Sequence, residues 1–102
     1  MSVVTGVMLI VMFGEDYPLQ PIQDWLADHC DGAQLVDVAD LAGGSKHPQF
    51  RAMAAGINHF ANVNEFAAFV MSRDWSQPEN VILVLQPEEG TTDVYRPAGF
   101  NL

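Results

Sequence analysis

The chain has little cysteine and little positive charge. Cys30 is the one cysteine among 102 residues, which excludes an intrachain disulfide framework and a metal site built from cysteines alone. Four Lys and Arg residues stand against thirteen Asp and Glu, for a formal net charge of -9. That charge repels phosphate backbones and anionic membranes, so nucleic-acid and membrane binding are disfavoured. We expect a reducing, cytoplasmic compartment and, if there is a protein partner, a basic one. The alternative is that the acidic surface serves solubility alone.

A long hydrophobic run is also absent. The apolar stretch over residues 3 to 13 is too short for an ordinary membrane span, and no Lys or Arg precedes it. We therefore predict neither a signal peptide nor a transmembrane helix. The stretch is rich in Val and Ile, which predicts a central strand covered on both faces. With 49% hydrophobic residues, the chain has enough apolar material for a single domain over residues 1 to 102.

Two segments have helical spacing. The spacing within residues 17 to 32 predicts a helix, with Pro21 in its first turn and Gly32 just past its end. Its apolar stripe consists of Ile22, Trp25, Leu26, His29 and Cys30, and its aspartates face water. A second helix is predicted from Asn62, with Glu65 reaching back to cap it, to about residue 74 or 75.

The remaining apolar segments predict strands. Residues 33 to 39 have the pattern of an edge strand, and residues 80 to 86 that of a short buried one. Residues 50 to 59 fit either a helix or a strand, but Gly56 and Asn58 weaken a helix and favour the strand. A turn at residues 87 to 90 then leads into a final strand that closes a hairpin.

This order of elements resembles a known α+β arrangement. It is similar to the ferredoxin-like β-α-β-β-α-β sandwich with an extra C-terminal edge strand, and the resemblance covers nearly the whole chain. It implies two helices on one face of an antiparallel sheet. The resemblance is one of topology, and because this arrangement hosts many unrelated activities, function has to be argued from the site.

The loop GGSKHPQF gathers positive charge in an otherwise acidic chain. Lys46, His47 and Arg51 could form an anion-binding or interface site, because the paired glycines let backbone N–H groups approach an anion. The spacing matches neither a Walker loop nor a dinucleotide fingerprint. The alternative is a tight connection between two strands, in which Lys46 and Arg51 are solvated or pair with Asp37 and Asp40.

The chain shows no pattern typical of a catalytic or metal centre. Its histidines lack metal-ligand spacing, so we predict neither a metal nor a cofactor. The position of Cys30 on the apolar stripe predicts a buried, inert thiol. Trp75 lies among polar residues and is a better candidate for partial exposure than Trp25, but the favoured alternative is that it packs over the end of the sheet. Trp75, Asn58 and His59 are candidate interface or pocket residues.

These observations favour a small acidic cytoplasmic protein that acts by protein–protein contact, as an inhibitor, immunity protein or phage-type antagonist of a basic partner. The alternative is a small-molecule enzyme of the dimeric α+β barrel type, to which the element order is also similar. That resemblance implies a homodimer whose paired sheets enclose cavities, lined here by Asn58, His59 or Trp75. An anion or nucleotide sensor using Lys46 and Arg51 is a third hypothesis. Whether the sheet face without helices is buried, exposed or lines a cavity distinguishes the first two hypotheses.

Overall fold

The computed structural model describes residues 4–12, 14–30, 32–37, 50–58 and 60–97, with Asp16 described by its backbone alone. The elements are, in chain order, β1 (Val4–Met12), α1 (Asp16–His29), β2 (Val36–Asp37), β3 (Phe50–Asn58), α2 (Val63–Met71), a 3₁₀ turn (Pro78–Asn80), β4 (Ile82–Pro87) and β5 (Asp93–Tyr95). The predicted α+β class and the predicted order of elements are confirmed.

The described strands form one antiparallel sheet in the order β2-β3-β1-β4-β5. β1 lies at its centre and pairs with β3 along nine positions, from Val4 opposite Asn58 to Met12 opposite Phe50. On its other side, β1 pairs with β4. Residues 50 to 58 are thus a strand rather than a helix, and β2 is at an edge of the sheet, both as the sequence predicts.

The core lies on one face of this sheet. Side chains alternate between the two faces of a strand, and the odd-numbered residues of β1, β3 and β4 point towards the helices. The most buried members of the core, at 0 to 5% exposure, include Val7, Leu9, Val11, Met53, Ile57, Leu83 and Leu85 from the strands and Ile22, Leu26, Phe66 and Val70 from the helices. Both helices therefore cover the same face.

The opposite face, made of the even-numbered residues of all five strands, is called the open sheet face below. No described helix covers it, and Met8 and Phe50 are each 43% exposed there, while Val94 is 62% exposed. The prediction that β1 is covered on both faces is therefore wrong for the single chain. The continuous apolar run made both faces of β1 hydrophobic, but the two helices cover only one of them.

The helix ends differ in detail from the predictions. α1 begins at Asp16, so Pro21 lies inside the helix rather than in its first turn. Gly32 does follow α1, with a φ of 79° that favours glycine, and its N–H donates to the Ala27 carbonyl at 3.1 Å. α2 begins after Asn62 without a side-chain cap, so the predicted reciprocal cap is not formed.

α2 also ends earlier than predicted, at Met71 rather than near residue 74. The Phe69 carbonyl near its end accepts hydrogen bonds from Ser72 Oγ at 2.9 Å and from Arg73 Nε at 3.0 Å. Side-chain donors of this kind satisfy the carbonyls that a helix leaves unpaired at its C-terminus. The chain can then leave the helix without burying unpaired backbone groups.

A buried carboxylate joins two segments that are far apart in the chain. Glu15, just before α1, is 1% exposed. Its Oε1 accepts the N–H of Ser76 at 2.9 Å and its Oε2 accepts the N–H of Gln77 at 3.0 Å. Hydrogen bonds to a charged acceptor are stronger than neutral ones, and this pair ties the start of α1 to the segment between α2 and β4.

Replacing this carboxylate should destabilise the fold. In Glu15→Gln, the amide NH₂ group meets one of the two backbone N–H donors, which leaves that buried donor unpaired. We expect a loss of about 1–3 kcal/mol in the free energy of unfolding, measured by urea denaturation followed by circular dichroism. Glu89→Gln, at an exposed position, is the matched control and should change stability by less than about 0.5 kcal/mol. Equal unfolding midpoints for the two variants would contradict the assignment.

Candidate functional site

A pocket of about 220 Å³ lies where the end of α1, the end of β3 and the segment leading into α2 meet. We call it the corner pocket. It is lined by His29, Cys30, Ile57, Asn58, Phe60, Ala61 and Asn62. The antiparallel sheet places the end of β3 beside the first residues of β1, and the following residues then turn back to begin α2. This turn brings polar side chains from three elements around one depression.

His29 is oriented by the helix that carries it. Its ring stacks on Trp25, one helical turn earlier, with centroids 4.0 Å apart and planes 10° apart. Its Nδ1 is 2.9 Å from the Trp25 carbonyl oxygen, which can only accept, so Nδ1 carries the hydrogen. Nε2 is the remaining polar atom of the ring. His29 is exposed, so its predicted place on the inner edge of α1 is wrong.

Trp25 rests on a cluster of aromatic rings beneath the pocket. Its ring centroid lies 5.3 Å from that of Phe66, 6.2 Å from Phe69 and 6.4 Å from Phe60. Tilted aromatic pairs at these separations add to the stabilisation that burial provides. The His29 ring, which stacks on Trp25, is therefore supported by a well-packed aromatic cluster. No sequence motif indicated this arrangement.

The other polar groups of the corner pocket are a thiol and two amides. Cys30 is half-buried, which corrects the prediction of a fully buried thiol, and its backbone N–H closes the end of α1 on the Leu26 carbonyl. Asn58 is exposed at the end of β3, and Asn62 is half-buried just before α2. Polar groups of these residues can hydrogen-bond a small polar molecule.

Asn58 is the predicted site residue that lies in the corner pocket. Trp75 does not line it: this side chain is 8% exposed, and its Nε1 donates to the Val70 carbonyl at 2.9 Å. Of the two alternatives for Trp75, the packed one is therefore found and partial exposure is not, because the chain after α2 folds back and buries the ring. His59 lies outside the described residues.

Of the three predicted anion-binding residues, Arg51 is described. The Nε of Arg51 donates to Asp37 Oδ2 at 2.9 Å, across the edge between β3 and β2. This is one of the local pairings that the strand-connection hypothesis predicted. Lys46 and His47 lie outside the described residues, so their role as an anion-binding or interface site stays a prediction.

Both helices carry exposed carboxylates. Asp24 and Asp28 are exposed one turn apart on α1, and Glu65 is exposed in the first turn of α2. We call these three residues the acidic helix end. Neither helix contains a Lys or Arg residue. In the described part of the chain, no cation pairs with any of the three.

Two arginines that follow α2 in the sequence are engaged elsewhere. The Arg73 guanidinium stacks 3.9 Å from the centre of the Phe69 ring. Arg96 Nη1 donates to the Glu79 carbonyl at 3.4 Å. Neither contact is an ion pair with a carboxylate of the acidic helix end.

Comparison of the chain with protein-family models, with curated proteins and with solved structures finds no match. No described helix has the length and apolar character needed to cross a membrane. Among the described residues, no three His, Cys, Asp or Glu side chains are grouped closely enough to hold a metal ion. Function is therefore argued from the geometry of the described surface.

The position of Cys30 at the wall of the corner pocket predicts how fast its thiol is alkylated. A half-buried thiol at a pocket wall should react with iodoacetamide in the folded protein, more slowly than in urea. Ala61→Phe places a ring at the pocket, so it should slow native labelling several-fold, as followed by mass spectrometry. Ala27→Phe makes the same change at an exposed position of α1 and should leave the rate unaltered. Identical rates in both variants would show that the thiol is reached by another route.

Proposed function

We propose that this chain is a non-catalytic cytoplasmic binding protein that docks its acidic helix end on a basic surface of another protein, as an inhibitor, immunity protein or antagonist does. One observation carries the proposal: α1 and α2 present exposed carboxylates to solvent and contain no Lys or Arg. Complementary charge of this kind accelerates encounter with a basic partner and disfavours acidic ones.

The placement of these charges supports a role beyond solubility. Asp24 and Asp28 are four residues apart on one helix, where like charges cost about 0.2–0.5 kcal/mol. Asp28 also lies in the last turn of α1, where the partial negative charge of the helix end makes a carboxylate unfavourable. The helix would be more stable without this arrangement, whereas a basic partner would be attracted by it.

We also propose that the fold is of the ferredoxin-like type with β5 added beside β4. Its support is the strand order β2-β3-β1-β4, with every described neighbouring pair antiparallel, and the packing of both helices on one face. In such a two-layer arrangement, the helix layer is one broad surface and the sheet is the other. The acidic helix end belongs to the helix layer.

The docking proposal predicts a position-dependent effect of charge. A helix variant would carry Asp24→Asn, Asp28→Asn and Glu65→Gln. Partners captured by the wild-type chain at low salt should be lost or strongly reduced with this variant, because the attraction at the contact is removed. With a purified captured partner, the wild-type affinity should also fall as salt is raised, measured by calorimetry or surface plasmon resonance.

The matched control removes the same number of charges from the hairpin between β4 and β5, by Glu88→Gln, Glu89→Gln and Asp93→Asn. It should bind the partner nearly as well as the wild type does. Equal loss with both variants would show an effect of net charge alone and would contradict docking at the acidic helix end. Affinity that is insensitive to salt would contradict it as well.

The corner pocket favours a second candidate, a small-molecule enzyme of the dimeric α+β barrel type. Its imidazole, thiol and amide groups are suited to binding a small polar compound. A thermal-shift screen of small amides, carboxylates and carbonyl compounds, followed by assays for turnover, tests this candidate. A true ligand should raise the melting temperature of the wild type but not of His29→Ala or Asn58→Ala, with Gln20→Ala as the exposed control. Absence of any shift across the screen would exclude the candidate for those compound classes.

A further inference from the structure

The open sheet face differs in composition from the rest of the described surface. None of its described residues is Asp, Glu, Lys or Arg, although the chain carries a formal charge of -9. Its two polar residues, Asn58 and Gln86, lie towards the same end of the sheet, opposite the first residues of β1. The rest of the face is Val, Ile, Met, Phe, Ala and Gly. A large apolar face without charge marks an interaction surface rather than a solvated one.

The composition of β1 indicates that another surface packs on the open sheet face. A strand that is apolar on both sides is typical of one buried on both sides. The helices bury Leu9 and Val11 completely, while Met8 on the other side stays 43% exposed. We propose that a second copy of this chain covers the open sheet face, so that two sheets pack face to face in a homodimer.

The size of the face agrees with such a dimer. Strands of nine, nine and six residues in β1, β3 and β4, with the shorter edge strands, span roughly 450 Å² in projection at about 3.3 Å per residue and 4.8 Å per strand. Two copies would then bury on the order of 1,000 Å² in total, the lower bound for a specific protein interface. The side chains that stand out from the sheet add to this area.

The distribution of charge favours a dimer in which the two open sheet faces meet. Two molecules of this chain repel each other wherever carboxylates face carboxylates, as they would if the helix layers met. The open sheet face is free of that repulsion. Sheets packed face to face lie about 10 Å apart and direct both helix layers outward. The acidic helix ends of Asp24, Asp28 and Glu65 then lie on opposite sides of the dimer.

The face also has a depression that can receive a side chain. It has a volume of about 250 Å³ and is bordered by Gly6, Met8, Ala54 and Val84. A Cβ atom built at Gly6 would lie 3.6 Å from the Gln86 carbonyl oxygen, an ordinary contact, and the backbone there is not left-handed. The single chain therefore does not require glycine at this position.

Glycine in a strand weakens the strand, so its presence at position 6 needs another reason. In a symmetric dimer the same surface faces itself, so a side chain beside the depression on one copy can enter the depression on the other. Met8, exposed on β1 next to Gly6, is suited to this role because a flexible thioether fills irregular gaps. This inference concerns the sheet face and does not depend on the proposed function.

Analytical ultracentrifugation across a wide range of protein concentrations tests the dimer. The wild type should sediment with twice the monomer mass of 11.2 kDa and dissociate on dilution. Met8→Lys should shift the protein to monomer, because dimerisation would bury an unpaired ammonium group. This change makes the chain less negative, so loss of the dimer could not come from greater repulsion between the copies. Circular dichroism checks that the variant is folded.

Two further variants complete the test: one is a control for the change of charge, and the other tests the interface if Met8→Lys fails to fold. Tyr17→Lys makes the same charge change at an 88% exposed position on α1 and should leave the dimer intact. Gly6→Leu fills the depression from within, so it should weaken the dimer several-fold even though it adds apolar surface. A wild type that is monomeric at all concentrations would overturn the proposal, as would a dimer that survives both Met8→Lys and Gly6→Leu.

Discussion

The pairing of β1 with strands on both of its sides is the constraint on which the rest of the structure depends. Because side chains alternate along a strand, one register directs Val7, Leu9 and Val11 towards the helices and Gly6, Met8 and Ile10 away from them. Moving that register by one residue would exchange the two sets. The helix-covered core and the uncovered apolar face are thus two results of the same pairing.

The two layers of the molecule have different chemistry, and the two proposals use different layers. The helix layer carries the acidic helix end and suits contact with a basic surface, while the open sheet face is uncharged and suits a second copy. If both hold, the dimer presents two acidic surfaces facing outward. A bivalent molecule of that kind gains apparent affinity for a partner that has two basic sites at the matching distance.

Several features could be predicted from local sequence because their causes are local. Gly56 and Asn58 favoured a strand over a helix for residues 50 to 58, and the structure has β3 there. Gly32 was expected after α1 and has the positive φ that suits it. The site was less predictable. Asn58 was a predicted pocket residue and lies in the corner pocket, whereas His29 and Cys30 were expected to be structural, since helical spacing alone does not show how the stripe meets neighbouring elements.

The sequence by itself determined the class of the fold, the order of its elements and the acidic character of the chain, because these follow from hydrophobic periodicity, turn residues and composition. Only the tertiary structure decided which face of the sheet stays uncovered, how Glu15 is buried against the N–H groups of Ser76 and Gln77, and why Trp75 is not exposed. Each of these depends on contacts between residues far apart in the chain or on how the chain folds back after a helix. Local patterns carry no record of such contacts, which arise when the elements pack.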